Sequence, residues 1–209
     1  MKMEHVLPAD IERRSMEIIE EELGEIRLDD DTKDIIKRVI HTSADFDYAR
    51  TLRFSTDAVE QGLQALRHGC IIVTDTNMAY MGISQNGLDK LGCHKACFMA
   101  DSDVAAQAKA DGTTRAVACM DKASRLSGPV IVAVGNAPTA LLRLDELIRS
   151  GQMKPELIIG VPVGFVNVVH AKEVIMHSGI PYIVAKGRKG GSNIAAAICN
   201  ALIYRLTRN

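Results

Sequence analysis

Apolar residues recur at helical spacing over roughly the first third of the chain and in short unbroken runs over the rest. That change of pattern sets the expected architecture. Ile11, Met16, Ile18, Ile19 and Leu23 share one face of a segment that opens at Pro8, carries Asp10 and Glu12 in its first turn, and stops at Gly24. A second helix is predicted to start in the acidic run Asp29, Asp30, Asp31 and to carry Ile35, Ile36, Val39 and Ile40. A third is predicted over 54–69, with Ser55 or Thr56 as cap and Gly69 as stop. Residues 70–74, 96–100, 130–135, 157–163 and 182–185 are then nearly continuous apolar runs, as parallel strands buried on both faces should be. Helical patterns separate them, around 85–91, 104–110 with 114–126, 138–149 and 168–176, and another covers 193–206. Such alternation requires right-handed crossovers, so the expected fold is α/β: a three-layer α/β/α domain with a doubly wound parallel sheet of about five strands, preceded by an N-terminal helical segment.

With 209 residues, 47% of them hydrophobic, and no repeat or linker, the expectation is one domain over 1–209, its first fifty or so residues free to act as a flap. A formal net charge of −1 excludes a nucleic-acid or membrane-surface binder that works by bulk electrostatics; an anionic ligand would need a local cluster of Lys and Arg. The absence of Trp and an aromatic content of 4% argue against a base-stacking platform. No apolar run approaches the ~20 residues needed to span a bilayer, and Met1 to Asp10 lack an export signal. Five cysteines, an odd number, fit reduced thiols better than a disulfide framework, and a cytoplasmic location follows as an expectation.

In open sheets of this kind ligands sit outside the carboxyl ends of the strands, where five loops would crowd one edge. Lys186-Gly187-Arg188-Lys189-Gly190-Gly191-Ser192 is a cationic glycine loop running into a helix, suited to an anion, although a solvated basic loop would look the same. It lacks P-loop spacing, and no dinucleotide fingerprint follows any predicted strand. Gly135-Asn136-Ala137-Pro138-Thr139 admits a flat ligand, or is only a strand-to-helix turn with Asn136 as cap. Arg115, beside a helix N-terminus, is poorly placed for the dipole and calls for an acidic partner. Cys93-His94-x-x-Cys97 has no second ligand pair at usable spacing, so no protein-bound metal is expected. His5, His68 and His177 read as surface residues; His170 is not assigned. His41 ends the second helix just before Thr42, Ser43, Asp45, Asp47 and Tyr48. A histidine there either caps the helix or serves as a proton donor facing a cleft.

Taken together these motifs resemble the precorrin-8X methylmutase family, also called cobalt-precorrin-8 methylmutase. The resemblance rests on Ile11-Glu12 with Ser15, Val39-Ile40-His41 with 45–49, Thr74-Asp75-Thr76-x-Met78 with Gly82-Ile83, Thr114-Arg115, 135–141, Gly160-x-Pro162-Val163-Gly164-Phe165-Val166, and Gly187 to Ser192. It implies a flavodoxin-like sheet, a homodimer with sites near the interface, and an isomerase of cobalamin biosynthesis. The reaction would move a methyl group from C11 to C12 of cobalt-precorrin-8 to give cobyrinate, or of metal-free precorrin-8X to give hydrogenobyrinate. No cofactor is implied. His41 would be the catalytic acid. The substrate, a polycarboxylate tetrapyrrole, would be held by Ser15, Thr42, Arg115, Asn136, Ala137, Thr139, Gly164, Phe165, Arg188, Lys189, Gly190 and Gly191, and its product is open to hand-off to the next corrin enzyme. A corrinoid carrier with little turnover would use the same pocket. One departure stands out: where the family usually runs through small residues to Glu-Ser-Lys, this chain has Asn167-Val168-Val169-His170-Ala171-Lys172. It would alter one pocket wall or be drift on a helix.

Overall fold

Six strands form one sheet: β1 (Leu52–Phe54), β2 (Ile71–Thr74), β3 (His94–Ala96), β4 (Val130–Val134), β5 (Leu157–Gly160) and β6 (Tyr182–Ala185). Their order is β1-β6-β5-β4-β2-β3 in the computed structural model, which describes residues 7–208. His5 lies outside those residues. β2 to β6 are mutually parallel, and taken alone they follow the flavodoxin-like order 2-1-3-4-5, with the chain reversing direction across the sheet between β2 and β4. Along β4, Ile131 and Ala133 enter one core while Val130, Val132 and Val134 enter the other. Both faces are covered, which is why the strand reads as an unbroken apolar run.

The helices divide between the two faces. A 3-10 turn, Pro8–Asp10, leads into α1 (Ile11–Leu23), followed by α2 (Lys33–Ser43), α3 (Tyr48–Thr51), α4 (Ala58–Arg67), α5 (Asn77–Gly82) and α6 (Gln85–Leu91). Then come α7 (Ser102–Ala110), α8 (Arg115–Ala123), α9 (Pro138–Arg149), α10 (Val168–Met176) and α11 (Ser192–Thr207). Residues of α1, α2, α4 and α11 build one core with the sheet, and residues of α7 to α10 build the other. The layers are therefore helix, sheet, helix. α11 is buried along nearly its whole length, and Gly82 and Gly87 let α5 and α6 lie close against it: a Cβ at Gly82 would stand 2.8 Å from Ala196 Cβ, and one at Gly87 2.4 Å from Ile203 Cγ2.

Four expectations need correction. The sheet has six strands rather than five, because Leu52–Phe54 pairs antiparallel with β6 in the register Leu52↔Ala185. Phe54 is thus a strand residue, and the third helix begins only at Ala58, after Asp57 in a left-handed conformation. Ser55 closes the strand: its N–H donates to Tyr182 O at 3.0 Å and its hydroxyl accepts from Tyr182 N at 2.9 Å. Three residues are too few for a periodicity to register, and the ladder that makes them a strand comes from residues 129 to 133 positions away. β3 lies at 94–96 rather than 96–100, since β2 ends at Thr74 and offers partners only from Ile71↔His94 to Val73↔Ala96. Phe98 and Met99 instead pack against the second core.

The N-terminal helices are not a flap. α2 buries Ile35, Ile36, Val39 and Ile40 and packs chiefly on α11, while Lys37–Glu20 at 2.5 Å and Arg38–Glu12 at 2.6 Å tie α1 across its outer side. Burying four such side chains contributes about 1.5–3 kcal/mol each, more than surface ion pairs supply. Ile35→Ala is expected to lower the global unfolding free energy by about 2–5 kcal/mol, read as a shift of the single urea midpoint. A detachable segment would leave that midpoint where it was.

Candidate active site

The crevice at the carboxyl edge is organised by Asp75, the residue that follows β2. Its side chain is buried, and it reaches across the β2/β4 reversal to accept three consecutive backbone amides: Gly135 N at 2.8 Å, Asn136 N at 2.8 Å and Ala137 N at 2.7 Å. Burial outweighs the pull of those amides and holds its carboxyl above the usual carboxylate range. The loop after β4 is thereby fixed before α9 starts at Pro138. Asn136 is not the helix cap; Ala137 holds that position without a side-chain bond, and Asp75 bonds the turn from the neighbouring strand. Gly135 is required by the next element. A Cβ there would stand 2.6 Å from Ser192 Cα and 2.8 Å from Gly191 O, so the β4 loop and the start of α11 meet backbone to backbone. Thr76 Oγ1 and Ser192 Oγ, 2.7 Å apart, close the third side, and Thr76 also caps α5 through Ala79 N.

The glycine loop enters the same corner. Gly191 N donates to Val161 O at 2.9 Å, Gly164 N donates to Arg188 O at 3.1 Å, and a Cβ at Gly190 would come within 2.1 Å of Val161 O. Gly190 therefore has to be a glycine for the loops after β5 and β6 to touch, and Gly191, at φ 145°, takes a backbone conformation that favours glycine. Beneath the loop lies Lys172 of α10, buried, whose ammonium donates to Gly187 O and Lys189 O at 2.8 Å each. Burial pushes its pKa down to about 8. The departure at 167–171 falls on the start of α10, with Asn167 in a left-handed cap, Val168 and Ala171 buried and His170 exposed; Lys172 follows it directly.

His41 stands exposed on the last turn of α2, which ends in left-handed Ala44. The turn after it is tied to the glycine loop: Lys189 Nζ sits 2.6 Å from both Asp45 Oδ2 and Asp47 Oδ2. The Lys189 hydrogen bond holds the Asp45 carboxyl below its ordinary range. Tyr48, buried behind this turn, is pushed up to about 12 by desolvation. Arg188, Lys189, Gly190, Gly191, Gly164, Phe165, Asn136 and Ala137 thus lie on one connected set of loops, to which the turn after His41 is joined through Lys189. Arg188 lies over the exposed Phe165 ring at 5.4 Å. Thr139 extends the set on the side of α8, its hydroxyl 3.1 Å from that of Thr114, the α8 cap, with Arg115 next to it. Arg115 is exposed and makes no hydrogen bond or ion pair with another described residue. Ser15 and Thr42 return their hydroxyls to their own helices, to Ile11 O at 2.8 Å and Arg38 O at 3.0 Å.

Sequence reasoning missed Asp75 and Lys172 as site-forming residues. Asp75 was within reach, being an acid directly after a predicted strand on the ligand edge; nothing local marks Lys172 as buried. Among the described residues no group of three or more His, Cys, Asp or Glu is placed to hold a metal, and Cys93 donates its thiol to Leu66 O.

Two outcomes follow. Asp75→Ala should lower stability by about 1–3 kcal/mol for each amide that water does not reach, with Asp75→Asn intermediate, in urea denaturation. For Lys172, the unfolded chain keeps its proton to about 10.4, whereas the folded chain releases it near 8. Between those values the unfolded state binds more protons, so folding stability rises with pH. The wild type should gain stability relative to Lys172→Met over that interval, seen as a rise with pH in the wild-type urea midpoint minus that of the variant.

The comparisons with known proteins match this arrangement. The model of the family described as Precorrin-8X methylmutase matches residues 10–205. A cobalt-precorrin-8 methylmutase of Salmonella typhimurium is 46% identical over 207 residues, covering 95% of this chain and 96% of its own. One from Leptospira interrogans is 42% identical over 205 residues, with 94% and 93% covered. Among solved structures, the precorrin-8x methyl mutase of Thermus thermophilus superposes with a TM-score of 0.86 at 40% identity, covering 94% of this chain and 96% of that one. The shared region contains the sheet, both helix layers and every loop of the crevice, and the chain belongs to the precorrin-8X methylmutase family.

Proposed function

We propose that this protein is an isomerase of cobalamin biosynthesis that moves a methyl group from C11 to C12 of cobalt-precorrin-8, giving cobyrinate. The observation that carries the reading is the family match over residues 10–205, which takes in His41 and the whole carboxyl edge. In this reaction one carbon–carbon bond breaks at C11 and one forms at C12. The composition of the substrate is unchanged, so neither a redox nor a group-transfer cofactor is called for, and cobalt enters as part of the substrate.

His41 is the acid in this reading. It lends a proton to the conjugated macrocycle, the methyl migrates as a formal 1,5-shift, and the proton returns. A placed acid of this kind is worth on the order of 10²–10⁴ in rate, and enclosure of a rigid substrate supplies orientation. Arg115, Arg188 and the free amide of Gly190 take substrate carboxylates, since neither arginine is claimed by a carboxylate among the described residues, while Gly191, whose amide is spent on Val161 O, lines the same loop. Lys189 joins them only by exchanging Asp45 and Asp47 for a substrate carboxylate. Asn136, Ala137, Thr139, Gly164 and Phe165 lie against the ring, with Ser15 and Thr42 as hydroxyl partners. Met78 and Met81 on α5 and Val163, Phe165 and Val166 on the loop after β5 are exposed, an apolar surface that suits both a macrocycle and the same face of a second copy. A homodimer with sites near the interface, a single methylmutase domain over 1–209, a cytoplasmic setting and hand-off of product to the next corrin enzyme complete the proposal. No described helix is long and apolar enough to cross a membrane.

The metal-free substrate precorrin-8X, giving hydrogenobyrinate, is the second reading, favoured by the name of the Thermus thermophilus protein. Both are tested by following the visible spectrum with each pigment, for wild type beside His41→Ala. The expected result is a spectral change at constant ligand mass, faster with the cobalt form, that His41→Ala slows by about 10²–10⁴ while still binding. Faster turnover of precorrin-8X would establish the second reading. Binding without conversion of either pigment would make the protein a carrier, and full-rate conversion by His41→Ala would remove His41 as the acid. Light scattering at twice the monomer mass is the expected result for the dimer.

A further inference from the structure

Lys172 is the one fully buried cationic side chain of the described residues, exposed to 1%, and no carboxylate lies within ion-pair distance of it there. Burying an unpaired ammonium is costly, so the fold must give it something to do. What it does is take hold of the glycine loop: Nζ reaches Gly187 O and Lys189 O at 2.8 Å each. The carbonyl between them, Arg188 O, is taken by Gly164 N at 3.1 Å, and Gly191 N is spent on Val161 O at 2.9 Å. Three successive carbonyls are therefore occupied by the protein. The amides of Arg188, Lys189 and Gly190 donate to no other described residue, and Gly187, Gly190 and Gly191 at φ 87°, 159° and 145° allow the peptide planes this arrangement.

We propose that Lys172 is the positioning residue of the glycine loop: it draws the carbonyls of Gly187 and Lys189 inward, so that a ligand carboxylate meets free amides and Arg188 rather than carbonyl oxygens. The proposal rests on the functional reading above and deepens it. A peptide plane that turns over replaces an N–H donor by an oxygen, which repels a carboxylate. Holding the planes in place before the ligand arrives is the cost that Lys172 removes. Lys172 itself touches no reacting atom. It stands on α10, at the end of the 167–172 stretch, so the residue acts through the loop and not through the pocket wall.

The test is binding of cobyrinate and of hydrogenobyrinate, each followed by its visible absorption, to wild type and Lys172→Met, with amide hydrogen exchange at Gly164 and Gly191 in the unliganded proteins. Met keeps the length and apolar stem and loses the ammonium. The expected result is a Kd raised about tenfold or more, the size of one lost charge-assisted hydrogen bond, and faster exchange at both amides. In turnover the loss should appear in KM with kcat little changed, the reverse of the split expected for His41→Ala. A purely structural role would lower Tm and the folded fraction while leaving the Kd of the folded protein and the split unmoved, and that result overturns the proposal. If Lys172→Met does not fold, Lys172→Gln makes the same comparison, its shorter amide reaching one carbonyl at most; unchanged Kd and exchange there overturn it equally. Wild type that binds neither cobyrinate nor hydrogenobyrinate would overturn the functional reading and the proposal with it, whereas tight wild-type binding matched by the variant overturns the proposal alone.

Discussion

A carboxylate held inside the protein by three backbone amides is the constraint from which the rest of the site follows. β2 and β4 lie side by side, but their chains leave the sheet in opposite directions, and the gap that opens between them is where α/β sheets of this order bind ligands. Asp75 spans that gap and fixes Gly135, Asn136 and Ala137. With that turn fixed, α11 can begin against it only because Gly135 has no side chain; Ser192 Cα and Gly191 O occupy the space a Cβ would need. The position of the longest buried helix is thus coupled to the same loop that lines the crevice.

A second buried charge, of opposite sign, does for the β6 loop what Asp75 does for the β4 loop. Lys172 satisfies backbone carbonyls, Asp75 satisfies backbone amides, and each lies under a segment that has little side chain of its own with which to be held. Loops at ligand sites must be both close to the ligand and rigid, and glycine gives the first at the expense of the second. Buried ions restore the rigidity from outside the loop. The exposed ion pairs of Lys189 with Asp45 and Asp47 are a weaker link of a different kind, open to water and to competing carboxylates. They join the turn after His41 to the glycine loop without locking it.

Much of the fold was legible. Helices at 85–91, 138–149 and 168–176 fall where the spacing of apolar residues put them, and the five parallel strands appear in the expected order of chain. What escaped was short: β1, α3 and α5 have three, four and six residues, less than two turns or two alternations, so no period can build up. β1 exists because β6 is there to bond it. The right end of β3 is set by where β2 stops, not by where the apolar run Cys97, Phe98, Met99 stops.

The site divides in the same way. His41 at a helix end, the glycines of 187–191, Arg115 beside a cap and the small residues of 135–137 are local patterns, and the expected strands put the loops of 135–137 and 187–191 on one edge. Their roles came with the family resemblance. Which charges would be buried was not local information, because the partners of Asp75 lie 60 to 62 positions away and those of Lys172 lie 15 and 17 positions away across a strand. A charged residue leaves water only where the fold supplies polar atoms to replace it. The sequence by itself therefore determined the layers, the binding edge and the inventory of chemical groups. The tertiary structure decided which of those groups are spent holding the loops and which remain free for a ligand.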